Sequence, residues 1–382
     1  MTYRLLVDVQ CLQTADAERG IPRWTLNFLY ALDRLRPGSI TALFNPTLDQ
    51  TEGLGLVSQR IPVASNDPAS IDGLQADRLV YLTMSIYEPV RPLSRLLPPY
   101  IAALGIPVAA VMHDFVPHLF ADLYAYSSLD RRLNAARESL FRGIDALLCN
   151  SKSTARDAIT CLNANPNNVH FVGSGINDKF HPSSVSSAKL QSLGVHRQFI
   201  MTVGRSDPRK QTVKLIEAFA KLPNQLRDQY SLVVACRVDD RTRAAWATKA
   251  QQLGLLPEQL IITGFVSDDD LIALYRSTSL FIEPSLYEGF GFPAAEAAAC
   301  GAVALTSGGS SLPEVLDDPA AIFDSSDTLP WAQSMEVALT DDDFRARRLA
   351  RNQDITTRHD WSLVASRADT VLERIARIPR SV

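Results

Sequence analysis

Short runs rich in valine, isoleucine and leucine recur along the whole chain and alternate with longer amphipathic stretches. The eleven candidate strands are 3–9, 40–44, 78–83, 108–113, 146–151, 169–173, 199–204, 231–236, 261–265, 280–285 and 302–307. Most are apolar throughout rather than alternating, as in parallel strands that are buried on both faces. Strand and helix in alternation predict a doubly wound α/β fold.

The number of candidate strands bears on the domain count. Eleven strands are too many for one ordinary sheet, and 382 residues suffice for two or three domains. The stretch 174–198 is turn-rich and polar, with Pro182 and a serine cluster, which is typical of a linker. We therefore predict two Rossmann-like domains, residues 1–178 and 190–360, followed by a final helix within 361–382.

The composition excludes several classes of protein. Thirty-eight basic residues against 42 acidic ones give a net charge of −4, so the chain is not a basic nucleic-acid-binding module. Five scattered cysteines fit buried thiols in a reducing compartment better than a disulfide framework or a metal site. The first residues are typical of a strand rather than a signal peptide, and the longest apolar stretch, 101–112, is too short to span a bilayer. We expect a cytoplasmic protein.

The segment 280–301 holds the densest functional signal. A strand is followed by a loop with Gly289 and Gly291, and Pro293 then suits the first position of an alanine-rich helix. A glycine loop that leads into a helix N-terminus presents free N–H groups and positive dipole potential. This arrangement predicts a site for an anion such as a diphosphate.

Two carboxylates accompany this loop. Glu288 precedes it, and Glu296 lies in the first turn or so of the helix. Because a carboxylate repels phosphate, we expect the pair to hold hydroxyl groups, which a sugar and a ribose both offer. The alternative is that Glu296 stabilises the helix dipole and Glu288 is a solvated loop residue.

A second segment, 199–219, is a strand, a basic turn and an amphipathic helix. Arg205 at the carboxyl end of the strand and Lys210 at the helix entry would face the crevice where open α/β sheets bind ligands. Two cations there can neutralise a diphosphate leaving group. A capped surface turn is the favoured interpretation for Arg209.

For other polar groups a structural interpretation is favoured. Ser311 and Glu314 have the spacing of a capping box. The acidic residues at 239–240 and 268–270 are typical of a loop and a helix start, so no metal site is expected. His118 either lines an acceptor site or is structural, and the second is favoured. Four arginines recur on 129–144, where a solvated face is favoured over a surface that docks on anionic lipid: Arg131, Arg132, Arg137 and Arg142.

Seven segments together resemble, in order, the motifs of the retaining glycosyltransferases of family 4, which have the GT-B fold. They are the glycine loop and helix 19–32, the His-Asp segment 111–120, the Ser-x-x-Ser helix entry 149–159, the linker entry 173–182, the Arg and Lys turn 203–219, the Glu-x7-Glu motif 283–301 and the segment 310–315. The chain departs from the family pattern at Pro22 and Trp24, and at Gln211, where glycine or asparagine is common.

The resemblance implies roles for individual residues. Arg205 and Lys210 would bind the donor diphosphate, Glu288 would lie beside the transferred sugar, and His113 would contact that sugar from the other domain. These four residues form the predicted catalytic group. The further donor contacts that the resemblance implies are Gly20 at the phosphates, Glu296 at the ribose, Gly289, Phe290 and Gly291 through backbone N–H groups, and Gly264, Phe265 and Val266 near the base.

The resemblance also implies an architecture and a reaction. Two Rossmann-like domains would face a central cleft, with the acceptor on 1–178, the nucleotide-sugar donor on 190–360, and the final helix crossing back to the first domain. The expected activity is transfer of a hexose, with retention of configuration, to a glycan or lipid-linked saccharide in surface polysaccharide synthesis. GDP-mannose or a GDP-deoxyhexose is the favoured donor, and neither a metal nor another cofactor is expected.

Alternatives stay open at this point. The acceptor could instead be a small molecule or a protein. The chain could also be a catalytically silent subunit that binds nucleotide sugars and scaffolds a partner glycosyltransferase. Its place would be the cytoplasm, with peripheral contact to the anionic inner face of the membrane as an alternative.

Overall fold

A computed structural model describes residues 3–14, 20–72, 78–87 and 93–378. The chain forms two compact units, Met1–Gly175 with His359–Val382, and Ile176–Arg358. The division therefore falls after Gly175. The sequence predicts the end of the first domain at residue 178 instead.

The first unit contains a parallel sheet in the order β3-β2-β1-β4-β5-β6-β7. Leu5 in the central strand lies opposite Ile40 on one side and Val80 on the other. The strands are β1 (Arg4–Asp8), β2 (Ile40–Phe44), β3 (Val63–Ser65), β4 (Leu79–Thr83), β5 (Val108–Met112), β6 (Ala146–Cys149) and β7 (Val169–Phe171). The order 3-2-1-4-5-6 is the Rossmann order, in which the direction of winding reverses between β1 and β4.

Helices connect these strands, as parallel pairing requires. They are α1 (Gly20–Leu35), α2 (Glu52–Ser58), α3 (Pro68–Asp72), α4 (Pro99–Ala103), α5 (Val116–Leu119), α6 (Ser128–Phe141) and α7 (Lys152–Cys161).

The second unit repeats the same winding. Its parallel sheet has the order β10-β9-β8-β11-β12-β13, and Ile200 lies opposite Leu232 and Leu280. The strands are β8 (Gln198–Val203), β9 (Tyr230–Ala235), β10 (Leu260–Ile262), β11 (Leu280–Glu283), β12 (Ala304–Ser307) and β13 (Ile322–Phe323). Here the winding reverses between β8 and β11, so ligands are expected at the carboxyl ends of these two strands.

The helices of the second unit precede, connect or follow its strands. They are α8 (Ser187–Ser192), α9 (Thr212–Ala220), α10 (Asn224–Gln229), α11 (Asp240–Gln252), α12 (Asp268–Ser277), α13 (Phe292–Ala299), α14 (Leu312–Leu316), α15 (Thr328–Thr340), α16 (Asp342–Asn352) and α17 (Ile355–Arg358).

The last helix, α18 (Trp361–Ala376), packs in the first unit against α1. The Trp361 ring lies edge-on to the Trp24 ring with 5.6 Å between centroids. A Cβ at Gly175 would come within 2.4 Å of the Trp361 ring, so only glycine allows this approach. Tyr3 donates a 2.8 Å hydrogen bond to Asp369. The ring contact thus holds α18 on α1, and the hydrogen bond ties it to Tyr3 just before β1.

The predicted doubly wound α/β fold is confirmed, and the eleven predicted strands are all present. Two further strands, β3 and β13, are three and two residues long. Each is an edge strand of its sheet, so it pairs with a neighbouring strand on one side only and needs no long apolar run. β3 (VAS) ends in a polar residue and β13 has only two residues, so neither forms a run that the hydrophobic pattern can show.

Within the described ranges, no helix combines the length and apolar character needed to cross a membrane. All five cysteines are free thiols, four of them buried.

Candidate active site

The switch point of the second sheet collects the polar residues that the sequence singled out. β8 ends at Val203 and leads to Arg205, while β11 ends at Glu283 and leads to the Glu288 loop. Two helices, α9 and α13, begin beyond these strand ends. Their first N–H groups provide positive potential at this edge of the sheet.

A 3₁₀ turn, Pro208–Lys210, carries Lys210 to this edge. The Asp207 carboxylate caps the turn by accepting from the Arg209 N–H at 2.9 Å. Gln211 then joins the turn to α9 in the left-handed conformation, with φ of +50°. This φ explains why glycine or asparagine suits the position, since both adopt it at lower cost.

Lys210 lies between two carboxylates. Its Nζ is 2.9 Å from Glu283 Oε1 and 2.9 Å from Glu288 Oε1. Glu283 is 0% exposed, and Ser285 Oγ donates to its Oε1 at 2.9 Å. A buried carboxylate of this kind requires a charged partner. Lys210 is therefore part of a buried ion-pair cluster.

The cluster shifts the pKa of each member. Burial raises the pKa of Glu283, and Lys210 offsets this only in part. Burial opposes ionisation of Glu288 as well, but Lys210 and Arg209 outweigh it and hold the pKa of Glu288 below its ordinary value. Burial acts to lower the pKa of Lys210, yet the two carboxylates raise it above its ordinary value. Lys210 therefore stays cationic, with Glu288 as an anionic partner.

The interpretation of Arg209 as a surface residue is wrong. Its side chain is largely buried, with Nη1 3.3 Å from Glu288 Oε1 and Nη2 3.0 Å from Asp207 Oδ2. It also donates to the carbonyl of Tyr287. The loop after β11 lies alongside this turn, since Leu286 N–H donates to Arg209 O at 2.9 Å. The Arg209 side chain therefore meets the acceptors of that loop. Arg205, by contrast, is exposed.

Three buried polar atoms around the cluster have no hydrogen-bond partner among the residues that the structure describes. They are Glu283 Oε2, Gln211 Oε1 and Thr212 Oγ1. Buried polar groups are normally satisfied by protein, water or ligand. This edge of the sheet is therefore a polar environment suited to a ligand.

The Glu288 loop is held by the serine segment that follows β12. Ser310 Oγ accepts from Glu288 N–H at 2.8 Å and donates to Glu288 O, and Ser311 Oγ lies 2.8 Å from Glu288 O and from Phe290 O. The predicted capping box of Ser311 and Glu314 is wrong, because the Ser311 side chain makes no cap hydrogen bond to α14. Its hydroxyl fixes the loop instead.

Two glycines make this close contact possible. Gly291 is the N-cap of α13 with φ of +102°, and a Cβ there would lie 2.7 Å from Leu312 Cδ2. A Cβ at Gly309 would lie 2.4 Å from the backbone oxygen of Leu286. Gly289 and Phe290 form the bend just before Gly291. The glycine loop thus leads into a helix as predicted.

Glu296 is buried in α13, at its fifth residue rather than in its first turn. Tyr275 OH contacts its Oε2 at 3.4 Å. A carboxylate beyond the first turn gains little from the helix dipole, so the dipole interpretation does not account for it.

The segment Gly264, Phe265 and Val266 follows β10, at the edge of the same sheet. Gly264 has φ of +80°, and the Phe265 ring is 69% exposed. Arg243 donates to the carbonyl of Ile262 at 2.7 Å beneath this segment. An exposed aromatic ring at a strand end is available for stacking.

His113 and Gly20 belong to the first unit, which is described by itself. Burial lowers the pKa of His113 to about 4, so the ring is neutral at physiological pH. Its Nε2 donates to Met84 O at 2.9 Å, which leaves Nδ1 as an acceptor. The ring lies edge-on to Trp24 with 5.2 Å between centroids. Gly20 is the first residue of α1.

The switch point of the first sheet contains a buried carboxylate of its own. Asp8 at the end of β1 accepts from Gln10 N–H at 3.1 Å, from Gln10 Nε2 at 2.8 Å and from Thr83 Oγ1 at 3.4 Å. Asn45 Nδ2 donates to Gln10 Oε1 at 2.7 Å. Burial raises the pKa of Asp8 to about 7, although these hydrogen bonds oppose the shift.

Sequence reasoning missed Glu283 and Asp8. Both carry the same signal, an acidic residue at the carboxyl end of an otherwise apolar run in a parallel sheet. A charge at such a position is costly unless it is paired, so it marks a site.

Comparisons with known proteins agree with this description. Residues 189–354 match the family model described as Glycosyl transferases group 1. The serotype-specific mannosyltransferase WbdA of Escherichia coli is 34% identical over 275 residues, which are 71% of this chain and 33% of WbdA. The O-antigen chain mannosyltransferase B of Escherichia coli is 30% identical over 163 residues, 43% of this chain and 42% of that protein. The chain thus spans about a third of the length of WbdA.

Two solved structures show the fold. HepE of Anabaena in complex with UDP and glucose has a TM-score of 0.72 at 16% identity, covering 98% of this chain and 100% of HepE. WaaG, a glycosyltransferase involved in lipopolysaccharide biosynthesis, has a TM-score of 0.65 at 15% identity, covering 97% and 99%. The chain therefore has the GT-B glycosyltransferase fold, and residues 189–354 are similar to the group 1 glycosyl transferases.

Proposed function

We propose that this chain is a retaining, metal-independent hexosyltransferase that uses a nucleotide diphosphate sugar. The favoured donor is GDP-mannose, and the favoured acceptor is a glycan or lipid-linked saccharide of an O-antigen type of surface polysaccharide. The names of the two Escherichia coli relatives support the sugar and the polymer. The observation that carries the proposal is the cationic Lys210 beside two helix N-termini at the switch point.

The charges of the cluster determine which groups could pair with a donor diphosphate. Three carboxylates, of Asp207, Glu283 and Glu288, face the two cations Arg209 and Lys210. A diphosphate would take Lys210 as a partner in place of Glu288, with Arg205 and the α9 and α13 N–H groups supplying further positive potential. Glu288 would then be free to accept hydrogen bonds from hydroxyls of the transferred sugar.

The other predicted contacts complete the proposed donor site. Glu296 would bind the ribose, the N–H groups of 289–291 would bind the sugar or phosphate, and the exposed Phe265 would contact the base beside Gly264 and Val266. In the first unit, taken by itself, His113 Nδ1 is proposed to accept from a sugar hydroxyl and Gly20 to allow a close approach of its backbone to a phosphate. Departure of the diphosphate from an oxocarbenium-like transition state would be stabilised by Arg205 and Lys210.

Arg205→Ala tests the proposal without disturbing the buried cluster. We expect GDP affinity, measured by calorimetry, to fall by about tenfold, as for loss of one charge-assisted contact. Arg241→Ala, an exposed arginine on α11, is the matched control and should leave the affinity unchanged. Turnover of GDP-mannose with and without EDTA tests metal independence. Unchanged GDP affinity in Arg205→Ala would refute the diphosphate role.

The second candidate is a silent nucleotide-sugar-binding subunit. The observation in its favour is that Lys210 is already ion-paired with two carboxylates. If GDP-sugars bind but are neither hydrolysed nor transferred, and Glu288→Ala changes nothing, the silent role replaces the enzymatic one.

A further inference from the structure

Buried ionisable side chains are rare in proteins unless they are paired. In the first unit, buried Glu138 accepts from Tyr87 OH at 2.8 Å, and His118 Nδ1 lies 3.1 Å from both of its oxygens, which orients the His118 ring. Arg137 is only 6% exposed, so its assignment to a solvated face is wrong. Glu283 of the second unit is buried as well, and the proposed function gives it no contact with the donor.

The two oxygens of the Glu283 carboxylate have different surroundings. Glu283 is the last residue of β11, and both of its contacts fall on Oε1, from Lys210 Nζ at 2.9 Å and from Ser285 Oγ at 2.9 Å. Its Oε2 is buried and accepts no hydrogen bond from any residue that the structure describes. Lys210 therefore holds one oxygen, while the other keeps lone pairs to which a proton can bind.

The charged neighbours of Glu283 come from two segments. The 3₁₀ turn supplies Lys210, and the loop after β11 supplies Glu288, whose Oε1 shares the same ammonium at 2.9 Å. Arg209 pairs with Glu288 and Asp207 instead. Within the described ranges, Lys210 is thus the one cation in contact with Glu283. The polar side chains that the adjoining elements add are neutral: Gln211 and Thr212 at the start of α9, and Thr306, opposite Glu283 on β12.

A diphosphate at Lys210 would add negative charge beside this buried carboxylate. The cluster already holds three carboxylates against two cations, so one ammonium would have to serve both Glu283 and the phosphate oxygens. Burial withholds the water that would otherwise stabilise the extra charge, and a nearby like charge favours the protonated form of a carboxyl. Burial already raises the pKa of Glu283, although Lys210 opposes this, and Glu288 raises it further.

We propose that Glu283 takes up a proton from solvent when a diphosphate binds at Lys210, and that the proton resides on Oε2. The inference rests on the proposed function, whose donor site it deepens. The neutral carboxyl still accepts from Lys210 through Oε1, while the charge of the ammonium becomes available to the leaving diphosphate. Glu283 acts through Lys210 and is a positioning residue.

Calorimetry of GDP binding to the whole chain counts the protons. The titration is run at pH 8 in HEPES and in Tris, two buffers with different heats of ionisation. The terminal phosphate of GDP is almost fully ionised at this pH, because its second pKa is about 6. We expect the wild type to take up about 0.5–1 proton per bound GDP. Glu283→Gln keeps the shape but cannot be protonated, so it should take up almost none.

The pH dependence of GDP affinity is a second readout, which a merely structural role would not change. Because the complex holds the proton more tightly than the free protein, binding should weaken as the pH rises. We expect the wild-type Kd to increase about three- to tenfold from pH 7.5 to pH 8.5, as uptake of 0.5–1 proton requires. In Glu283→Gln it should stay nearly constant. Glu217→Gln, which removes a carboxylate paired with Lys249, is the matched control and should behave like the wild type.

Each outcome decides one question. Wild-type protein that binds GDP with no proton uptake, or an uptake that is the same in Glu283→Gln, overturns the inference. Should Glu283→Gln fail to fold in thermal unfolding, a wild-type Kd that does not change with pH would overturn it as well. Absence of GDP binding in the wild type overturns the proposed function, and the inference with it.

Discussion

The two sheets share one winding order but use their switch points differently. In the first unit the buried carboxylate of Asp8 accepts hydrogen bonds from an amide, a backbone N–H and a hydroxyl. In the second unit the buried carboxylate of Glu283 meets the ammonium of Lys210 at 2.9 Å. The same topology thus produces a polar network in one unit and an ion-pair cluster in the other.

This difference shows that the topology determines where a polar site lies, whereas the side chains around that point determine its chemistry. Hydrogen bonds alone do not keep Asp8 ionised, and its pKa rises to about 7. Cations keep Glu288 ionised, and its pKa falls below the ordinary value. The Lys210 ammonium of the second unit is therefore available for binding an anion. In the described residues of the first unit, no cation is paired with Asp8.

The largest expected effect on stability comes from removing the Lys210 cation of the second unit. Lys210→Met leaves Glu283 buried without its partner and should lower the free energy of unfolding by about 3–5 kcal/mol. Adding Glu283→Gln to this variant should recover much of the loss, because a neutral side chain needs no ammonium. Urea unfolding measures both.

Lys214→Met, on the exposed face of α9, is the matched control for this pair. It should change the stability by less than about 0.5 kcal/mol. If Lys210→Met is equally mild, the cluster is not the buried ion pair described here.

A smaller effect on stability, opposite in sign, is expected when Asp8 of the first unit is replaced by asparagine. Because the pKa of Asp8 is raised, the folded state holds its proton more tightly than the unfolded state. The stabilisation that comes from protonated Asp8 is fully present below pH 4 and is lost as the pH rises towards 7 and above. Asp8→Asn removes this loss, so its stability relative to wild type should increase by about 2–3 kcal/mol from pH 5 to pH 8.

The check is urea unfolding of both proteins at several pH values. Asp33→Asn, at a partly exposed site on α1, serves as the control and should show no such trend. A stability difference between Asp8→Asn and wild type that stays constant with pH would contradict a raised pKa.

The smallest effect concerns the turns that follow the two central strands. Both β1 and β8 lead into a 3₁₀ turn that is followed by a glutamine, but Gln13 has φ of −104° and Gln211 has φ of +50°. Gln211→Gly should therefore be more stable than Gln211→Ala by about 1 kcal/mol. At Gln13 the order should reverse, since alanine is the better residue at negative φ. Thermal unfolding of the four variants gives the comparison.

Much of the fold could be predicted from the sequence. Long apolar runs such as β8 and β9 are buried on both faces, so their pattern is unambiguous, whereas β13 is too short to give one. The glycine loop before α13 was also predictable, because a loop of this kind depends on local conformation. The contacts of Arg209 with Tyr287 and Glu288 were not, because these residues lie in a segment almost 80 residues away.

The sequence by itself determined the α/β class, the two winding units and the segments that hold the donor-site candidates. These features depend on hydrophobic period and local backbone preference, which neighbouring residues set. Only the tertiary structure decided that Lys210 lies between Glu283 and Glu288, that Ser311 holds a loop rather than a helix end, and that His118 is oriented by Glu138. Each of these is a contact between distant segments, and its energy depends on burial and distance, which exist only once the chain is folded.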